Sequence, residues 1–425
     1  MKDSGIEWIG EIPEGWETIN PKALFTQRKD RASKGERQLT SSQQYGILYQ
    51  DEYMELTGSK VVTVEKDFDI LKHVEAGDFV ISMRSFQGGL EYSTKSGAIS
   101  SAYVMLVPNL ELVYPRFYRW LLKSSVYIDA LQRTTNMVRD GQAMRYSNFA
   151  QVRLFTLPLD EQKSRADFLD VKCSSIDKIL SKTRASIEEY KKLKQAVITQ
   201  AVTKGVRGER EMKDSGVEWI WEIPKEWVIQ KIKSISSRIN VGVVIRPSEY
   251  FDENGTVPFL RGINVKEYLI SSDNMVYINE SSNRILSKSQ VHTHDILIVR
   301  DGSIGTSCVV PAEYDGANVV SMVIATPSIS CDSRFVCYSL NSDVGKTQFT
   351  LTKIGSALTH TSVSAVSDII IAVPSCAEQK EIADYLDAKC AEIDKLIAKK
   401  EQLVKELESY KKSLIYEVVT GKREV

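Results

Sequence analysis

The sequence predicts an α+β fold in which two mixed α/β domains are separated by two long antiparallel coiled-coil helices, with an internal repeat related by a pseudo-two-fold. Three observations support this class: short boxes occur twice in the chain, each half ends in a heptad-patterned segment, and strand-like runs lie between them. The repeat sets the expected boundaries, which are a first domain at 1–157, a first helix at 158–205, a second domain at 206–374 and a second helix at 375–425.

The repeat consists of two boxes that keep their order. Residues 1–16, MKDSGIEWIGEIPEGW, recur at 212–227 as MKDSGVEWIWEIPKEW, with twelve of the sixteen positions identical. EQKSRADFLDVKCSSIDKIL from Glu161 recurs as EQKEIADYLDAKCAEIDKLI from Glu378. The inserts between the boxes have diverged, which indicates that the two halves bind different targets. A duplicated structural domain without any division of function is the plainer alternative.

The second box opens a segment with the 3.5-residue hydrophobic period of a coiled coil. The predicted seam is Leu169, Ile176, Leu180, Ile187, Leu386, Ile393, Ile397, Val404 and Leu407. Further apolar residues flank this seam: Phe168, Ile179, Leu193, Ile198, Leu396, Leu403, Tyr410 and Ile415. The apolar face is therefore wider than a two-stranded coiled coil needs.

Capping signals set the expected helix ends. Asp160 can serve as the N-cap of the first helix, and Ser375 with Glu378 forms a capping box for the second. Gly205 and Gly421 are the stop signals. Each helix should span about 40 residues and pack against the other copy in the antiparallel direction.

The inserts carry strand signals followed by a helix and a closing strand. The predicted strands are Val61–Val64, Ala76–Arg84, Ala102–Pro108, Val152–Pro158, Val257–Leu260, Asp295–Arg300, Val319–Ala325 and Ile369–Pro374, and the predicted helices are Arg116–Leu131 and Arg334–Asn341.

A strand that ends in arginine and enters a glycine-containing polar loop occurs in both inserts, at Arg84–Gly89 and at Arg300–Gly305. Arginine suits bidentate contacts to guanine or phosphate, and glycine lets the backbone approach a ligand closely. A hairpin turn with an exposed arginine explains the same pattern, so both interpretations stay open.

Composition narrows the class of protein. The chain has 425 residues, of which 42% are hydrophobic and 26% charged, so a disordered chain is excluded. We expect no membrane-spanning segment and no secretory signal, because no apolar run approaches the roughly 18 residues required, and hence a cytoplasmic location. The six cysteines form no Cys-x-x-Cys pair, which favours reduced thiols over a zinc ribbon or disulfides.

Charge is distributed unequally between the inserts. Residues 18–157 contain 18 Lys or Arg against 14 Asp or Glu, a net charge of +4, whereas residues 229–376 contain 12 against 13, a net charge of −1. The excess can be traced to residues 22–37, where Lys29, Arg31, Lys34 and Arg37 are candidates for phosphate contacts. A solvated basic surface is the alternative.

Signals for catalysis are weak. Glu161-Gln162-Lys163 and Glu378-Gln379-Lys380 match half of a nuclease motif, but acidic residues at a helix N-terminus are explained by the helix dipole. His292, His294 and Asp295 lack a further ligand cluster for a metal. Gly302-x-x-Gly305 lacks the Gly-Lys-Ser/Thr signature of a phosphate loop. We therefore expect a binding protein without catalytic residues, metal or cofactor of its own.

The ordered set of motifs resembles the specificity subunit of Type I restriction-modification systems. The matching segments are EWIGEIPEGW and EWIWEIPKEW, the helix openings LPLDEQKSRADFLD and VPSCAEQKEIADYLDAKCAEIDKLI, and the helix ends EEYKKLKQAVITQAVTKG and ESYKKSLIYEVVTGK. The pattern covers the whole chain twice. The two copies of the box differ at Trp221, which stands where the first copy has Gly10.

The resemblance implies a subunit that binds double-stranded DNA and has no catalytic activity of its own. Each variable insert would be a target-recognition domain that reads one half of a split site, and the helices would set the spacer. Two modification subunits, which bind S-adenosylmethionine, would dock on the repeated segments. Restriction subunits that use ATP and magnesium would join them.

Base contacts are expected from the two arginine loops and from four weaker candidates. These residues are Arg84, Ser85, Gln87, Arg300, Ser303, Gln43, Gln44, Arg261 and Asn264. Two other functions stay open: a scaffold in which coiled helices bridge two protein-binding heads, suggested by the near-neutral charge, and a metal-dependent nuclease built on Glu161 and Glu378.

Overall fold

The computed structural model describes residues 1–64, 68–81, 90–134, 145–354 and 360–425. The chain forms two compact units. The first contains Met1–Arg184 and Gln402–Val425, and the second contains Ala185–Glu401. Each unit therefore combines one insert with one part of each long helix, whereas the sequence prediction drew its boundaries at the helix ends.

The first unit is built on a four-stranded antiparallel sheet with the order β4-β11-β8-β9. Its strands are β1 (Lys2–Ile6), β2 (Gly10–Ile12), β3 (Glu17–Ile19), β4 (Phe25–Arg28), β5 (Leu39–Ser42), β6 (Gly46–Tyr49), β7 (Lys72–Val74), β8 (Phe79–Ile81), β9 (Leu90–Tyr92), β10 (Gly97–Ile99), β11 (Val104–Pro108) and β12 (Leu154–Thr156). Its short helices are α1 (Pro21–Leu24), α2 (Gln50–Thr57), α3 (Pro115–Leu122), α4 (Ser125–Arg133) and α5 (Tyr146–Phe149).

The second unit repeats this arrangement with a sheet in the order β16-β24-β21-β22. Its strands are β13 (Met212–Asp214), β14 (Glu222–Pro224), β15 (Val228–Lys231), β16 (Ser236–Val241), β17 (Val257–Leu260), β18 (Val265–Lys266), β19 (Leu269–Ile270), β20 (Val276–Ile278), β21 (Ile296–Val299), β22 (Ser307–Val309), β23 (Asn318–Val319), β24 (Met322–Pro327) and β25 (Ile370–Val373). Its short helices are α7 (Ile232–Ile235), α8 (Glu280–Ile285), α9 (Ser333–Asn341), α10 (Asp343–Ile354) and α11 (Val363–Ser367).

The two sheets correspond strand for strand. In each unit the strand after the box pairs with the closing strand, β3 with β12 and β15 with β25. The next strand along the chain lies at one edge of the four-stranded sheet. It pairs with the last strand of that sheet in sequence, β4 with β11 and β16 with β24. The diverged inserts thus keep the topology of the central sheet but differ in the smaller sheets around it, β5-β6 and β10-β7 in the first unit and β20-β17-β23 and β18-β19 in the second. The α+β class predicted from the sequence is confirmed.

The long helices are α6 (Leu159–Lys204) and α12 (Cys376–Val419). In the first unit, Asp177 of α6 pairs with Lys411 of α12 at 2.6 Å, and Arg184 pairs with Glu408. In the second unit, Lys194 pairs with Asp394 at 2.7 Å, and Arg207, just past the end of α6, pairs with Glu381 near the start of α12 at 2.7 Å. Rising numbers on α6 meet falling numbers on α12, so the helices pack antiparallel within each unit, as predicted.

The seam is buried to different degrees. Leu169, Ile176, Leu180, Ile187, Leu386 and Ile393 are all buried, whereas Ile397, Val404 and Leu407 are half-buried. The flanking residues Ile179, Leu193, Leu396, Leu403 and Tyr410 are exposed. Of the other flanking residues, Ile198 is buried and Phe168 and Ile415 are half-buried. The wide apolar face expected from the sequence therefore exists, and it is covered along the central stripe and in part on its flanks.

Three details differ from the sequence predictions. Helix α6 begins at Leu159, so Asp160 lies in its first turn and is not the N-cap. The run Val61–Val64 is not a strand. The side-chain amide of Gln38 satisfies both backbone groups of Val64, at 2.8 and 2.9 Å, and so replaces a neighbouring strand. The predicted helix Arg116–Leu131 is divided into α3 and α4.

Candidate nucleic-acid interface

In the second unit, loops from several strands meet at one edge of the sheet. The ends of β16 and β21 both pair with the start of β24, at Val241 with Val323 and Val299 with Met322. The amide of Val320 donates to the carbonyl of Leu260 at 2.8 Å, which brings the end of β17 to the same edge. Two loops that the sequence singled out, 261–264 and 300–303, are therefore brought together here.

The loop after β21 is held from its flanks and presents its tip to solvent. Arg300 Nε donates to the carbonyl of Thr361 at 2.9 Å, and the amide of Thr361 donates back to Arg300. Asp301 and Ser303 are exposed, and Gly302 adopts a φ of 74° that favours glycine. The tip can thus approach a ligand closely, and the contact to Thr361 holds Arg300 through Nε, beside the tip.

The loop after β17 contains one available and one unavailable candidate. Asn264 is fully buried, and its amide group donates to Ser271 and Asp273 and accepts from the backbone of Arg261. It therefore stabilises the loop and has no group left for a base in this conformation. Arg261 donates to the carbonyl of Asn274 and stays half-exposed.

A buried ion pair supports the sheet in each unit at matching positions. Arg28 of β4 donates from Nε to Asp78 at 2.7 Å, and Arg238 of β16 donates to Asp295 at 2.7 Å. Both carboxylates are almost completely buried. Hydrogen bonds to Asp78 raise the pKa of the Arg28 guanidinium, so it stays charged. Asp295 consequently supports the fold and is not part of the metal site considered for His292 and His294.

The basic cluster of the first unit divides into paired and free residues. Arg37 pairs with Asp51 at 2.7 Å and stacks on the ring of Tyr49 at 3.6 Å. Lys29 and Lys34 are exposed and form no ion pair with the described part of the chain. Together with the exposed Arg31, which donates to the carbonyl of Ile70, they are the available cations of this segment.

The remaining candidates of the first unit lie on two turns. Gln43 and Gln44 are exposed at the turn of the β5–β6 hairpin, where Ser42 pairs with Gly46. Arg84, Ser85 and Gln87 lie outside the described residues, so their base contacts stay a prediction.

The repeated Glu-Gln pair joins the box to the long helix. Trp16 donates from Nε1 to Glu161 at 3.1 Å, and Trp227 donates to Glu378 at 3.3 Å. Gln162 donates to the carbonyls of Leu112 and Leu157, and it is completely buried. Each repeated acid thus has a structural partner, which favours the dipole and packing interpretation over the nuclease motif.

An arginine completes this contact in each unit, but it comes from a different place in the chain. In the first unit Arg165 of α6 lies over Trp16 and donates to Glu161 at 2.7 Å. In the second unit Arg210, which precedes the box, lies over Trp227 and donates to Glu378 at 2.5 Å. We call each set of tryptophan, glutamate and arginine a clamp. Sequence analysis missed both arginines because no repeated position signals them.

The clamps also hold the end of the opposite helix. Arg165 donates to the carbonyl of Val418 near the end of α12 at 2.9 Å, and Arg210 donates to that of Lys204 at the end of α6 at 3.2 Å. A cation at a helix C-terminus interacts favourably with the helix dipole. Trp16 and Trp227 occupy identical positions of the first repeated box, and Glu161 and Glu378 occupy identical positions of the second. This repetition is the sequence signal that could have pointed to the clamps.

The structure also bears on metal binding, membrane spans and the cysteines. No group of three His, Cys, Asp or Glu among the described residues could hold a metal ion. Within the same ranges, no helix is both long and apolar enough to cross a membrane. The cysteines are free, and burial raises the pKa of the Cys173 thiol to about 11, as expected for an unreactive buried thiol.

Comparison with known proteins agrees with this arrangement. Residues 224–406 match the family model of the Type I restriction modification DNA specificity domain. The MjaX specificity subunit of Methanocaldococcus jannaschii is 23% identical, and the alignment covers 97% of this chain and 95% of the relative. The MjaVIII specificity subunit of the same organism is 25% identical, with coverage of 82% and 80%.

Solved structures show the same fold. A chain from a structure of the type I restriction-modification system aligns with a TM-score of 0.74 over 97% of this chain and 100% of its own length, at 14% identity. The HsdS subunit from Thermoanaerobacter tengcongensis aligns with a TM-score of 0.53 over the full length of both chains, also at 14% identity. The resemblance to Type I specificity subunits is confirmed, in its fold by the solved structures and in its sequence by the family model and the relatives.

Proposed function

We propose that each unit reads one half of a bipartite DNA site and that the long helices fix the distance between the halves. The observation that carries this proposal is that the two units share the topology of the central four-stranded sheet but differ in the smaller sheets around it, among them the β5-β6 hairpin in the first unit and β20-β17-β23 in the second. A shared scaffold with different loops is what two readers of different sequences require. Base pairs read by such loops are worth about 1–3 kcal/mol each.

The available side chains divide into two groups in this proposal. Lys29, Arg31 and Lys34 of the first unit would contact phosphates, which position the protein on the duplex. Arg37 is less suited to this because it is paired with Asp51. Gln43, Gln44, Arg261, Arg300 and Ser303 would contact bases, and Arg84, Ser85 and Gln87 remain candidates for the same role.

Two modification subunits are proposed to dock on the exposed apolar residues of the long helices. Ile179 and Leu396 occupy equivalent positions of the repeat, and so do Leu193 and Tyr410. All four retain between 37% and 50% of their surface exposed. Exposed apolar side chains repeated at equivalent positions suit two copies of one partner.

Chemistry would reside in these partners. We propose that this chain has no catalytic activity, that the modification subunits bind S-adenosylmethionine, and that restriction subunits use ATP and magnesium. Under this proposal the chain acts in the cytoplasm together with its DNA.

A map of N6-methyladenine in cells that express the chain with its modification subunit tests the proposal. A split motif with a fixed gap, absent when the chain is omitted, is the expected result. Exchange of residues 18–157 for the insert of a relative should change one half of the motif only. A stable complex that produces no motif would contradict the proposal and favour a scaffold.

Spacer length has its own test. One heptad inserted after Ile187, with a matched heptad after the offset-related Val404, lengthens each helix by about 10 Å. The gap in the motif should grow by about 3 base pairs at roughly 3.4 Å each. An unchanged gap would exclude the helices as the element that sets the spacing.

A further inference from the structure

The segment that follows β16 carries two apolar side chains into solvent. Val244 retains 51% of its surface exposed and Ile245 retains 76%. A single exposed apolar residue needs no explanation, but two consecutive β-branched residues at the tip of a loop are less common. Ile263, on the neighbouring loop after β17, is also 56% exposed.

The base of this loop is fixed to the sheet. The amide of Val243 donates to the carbonyl of Val319 at 2.7 Å, and the amide of Ser321 donates to Val243 at 3.1 Å. A Cβ atom on Gly242 would lie 2.3 Å from the backbone oxygen of Val319, so only glycine fits there. The apolar tip is therefore presented by a firmly anchored stem.

The other side of the loop is held in an unusual conformation. Arg246 has a φ of 44° and a ψ of 53°, a left-handed backbone conformation that residues other than glycine adopt at a cost in free energy. Its side chain is exposed and pairs with Glu249 at 3.2 Å. This strain is retained directly beside the exposed pair, as is common where a loop contacts a ligand.

The loop lies on the edge where the base-reading candidates meet. Ser321, which binds the stem, also donates to Asp301 of the 300–303 loop at 3.4 Å. Val320 connects the same point to the end of β17 and hence to Arg261. The apolar tip is thus continuous with the proposed DNA-reading surface of the second unit.

Charge separates the two units at this point. The segment after β4, the counterpart of β16, contains the exposed cations Lys29, Arg31 and Lys34. The corresponding segment of the second unit contains Val244 and Ile245 followed by one cation, Arg246, which pairs with Glu249, and its whole insert has a net charge of −1. A DNA-binding surface with fewer cations obtains less of its affinity from phosphates and must obtain more from contacts with the bases.

We propose that Val244 and Ile245 make an apolar contact with the bases of the half-site read by the second unit. The inference rests on the proposed function and deepens it. Two sources of such a contact are known: the methyl group of thymine in the major groove, and a base step that an apolar side chain partly unstacks. Either buries the exposed pair only when DNA is bound.

The test compares Ile245→Ser with Ile329→Ser in the complex with the modification subunit. Ile329 is fully exposed but follows the far end of β24, so it is a matched control away from the edge. Duplexes carry the motif found by methylation mapping. Ile245→Ser should weaken specific binding about tenfold, the effect of one lost base contact. The salt dependence of binding should stay unchanged because no cation is removed.

Two modified duplexes distinguish the sources. Replacing a thymine of this half-site by uracil removes its methyl group and should weaken the native complex to the level of Ile245→Ser if that methyl is the partner. Fluorescence of 2-aminopurine at the half-site should rise on binding if a step is unstacked, and it should rise less with Ile245→Ser. Either result supports the inference. The inference is overturned if uracil does not weaken binding and the fluorescence of 2-aminopurine does not rise.

Three other outcomes would also overturn the inference. Equal binding by Ile245→Ser and the native complex would show that the loop does not contact the bases. A loss of complex assembly with unchanged DNA affinity of the assembled fraction would assign the loop to a protein partner. Failure of the native complex to prefer its motif over random DNA would remove the proposed function itself, and this outcome is read from the native protein alone.

Discussion

Replacing Arg210 by methionine should loosen the start of α12 in the second unit. The substitution keeps most of the aliphatic stem but removes the guanidinium that lies 2.5 Å from Glu378. The Glu378 side chain is only 3% exposed, and the indole of Trp227 would remain as its hydrogen-bond donor. A buried carboxylate would therefore lose its charged partner.

The magnitude follows from this burial. Breaking a buried ion pair by removing one partner costs about 3–5 kcal/mol. Arg207 lies 3.8 Å from Glu378 and is half exposed, so it compensates in part. We expect a loss near the lower limit, about 3 kcal/mol. Hydrogen exchange of the amides in 376–383, followed by mass spectrometry, measures the free energy of local opening directly.

The first unit supplies a rescue variant. Arg165 provides its clamp from α6, and the equivalent position of α12 is the buried Ile382. Ile382→Arg combined with Arg210→Met should recover at least about 1 kcal/mol relative to Arg210→Met alone, whereas Ile382→Arg alone should destabilise by placing a second cation beside the first. Arg207→Met, a half-exposed control, should have a much smaller effect than Arg210→Met because solvent screens its ion pair.

Two results would refute the reasoning. Unchanged exchange in 376–383 after Arg210→Met would show that the clamp does not hold the helix start. Additive effects in the double variant would show that the two arginines are not interchangeable solutions to one requirement.

Two further predictions concern single residues. Trp221 has a φ of 63° where the equivalent Gly10 has 72°, a backbone conformation that strains residues other than glycine. Trp221→Gly should therefore stabilise the second unit by about 1 kcal/mol in thermal unfolding, and Gly10→Trp should destabilise the first unit by a similar amount. A loss of stability in Trp221→Gly would contradict the strain argument. Partial burial opposes the charge of His73, but the carboxylates of Glu36 and Glu75, at 2.8 and 3.1 Å, outweigh it and raise its pKa. This stabilisation is complete below the unfolded pKa of about 6.5 and is lost as pH rises through the higher folded pKa. His73→Gln should therefore lower the melting temperature more at pH 5.5 than at pH 8.5, and equal losses at both would exclude the pairing.

The repeated elements were predictable from the sequence because repetition and periodicity act over short distances. The seam residues Leu169 and Ile176 follow from the heptad, and the helix ends follow from Gly205 and Gly421. The structure of the inserts was harder to predict from the sequence. Val61–Val64 has the composition of a strand, yet a side-chain amide takes the place of its neighbouring strand, and no local pattern reveals this.

The candidate site shows the same division. The 300–303 loop was recognised because a strand, an arginine and a glycine follow each other in the chain. Its meeting with the 261–264 loop and with Val244 and Ile245 depends on pairing between distant strands. Asn264 is instructive because an amide that looks suited to a base is used inside the protein, and only burial distinguishes the two uses.

The division of the long helices between the units has a consequence for the order of folding. The second unit is one continuous stretch of 217 residues, Ala185–Glu401, whereas the first needs Gln402–Val425 to complete it. Synthesis at about 5–20 residues per second leaves the first 184 residues without that segment for roughly 10–40 s. During this interval the seam of α6 around Leu169 and Ile176 has no partner helix from its own unit.

The nascent first unit is therefore the vulnerable one, although it is made first. Its apolar stripe is available to chaperones and proteases until the ribosome has delivered α12, and closure then places Gly421 against Trp16 of the opening box. We expect a chain truncated before Gln402 to have a less stable first unit than the full chain, because it lacks the part of α12 that covers this stripe.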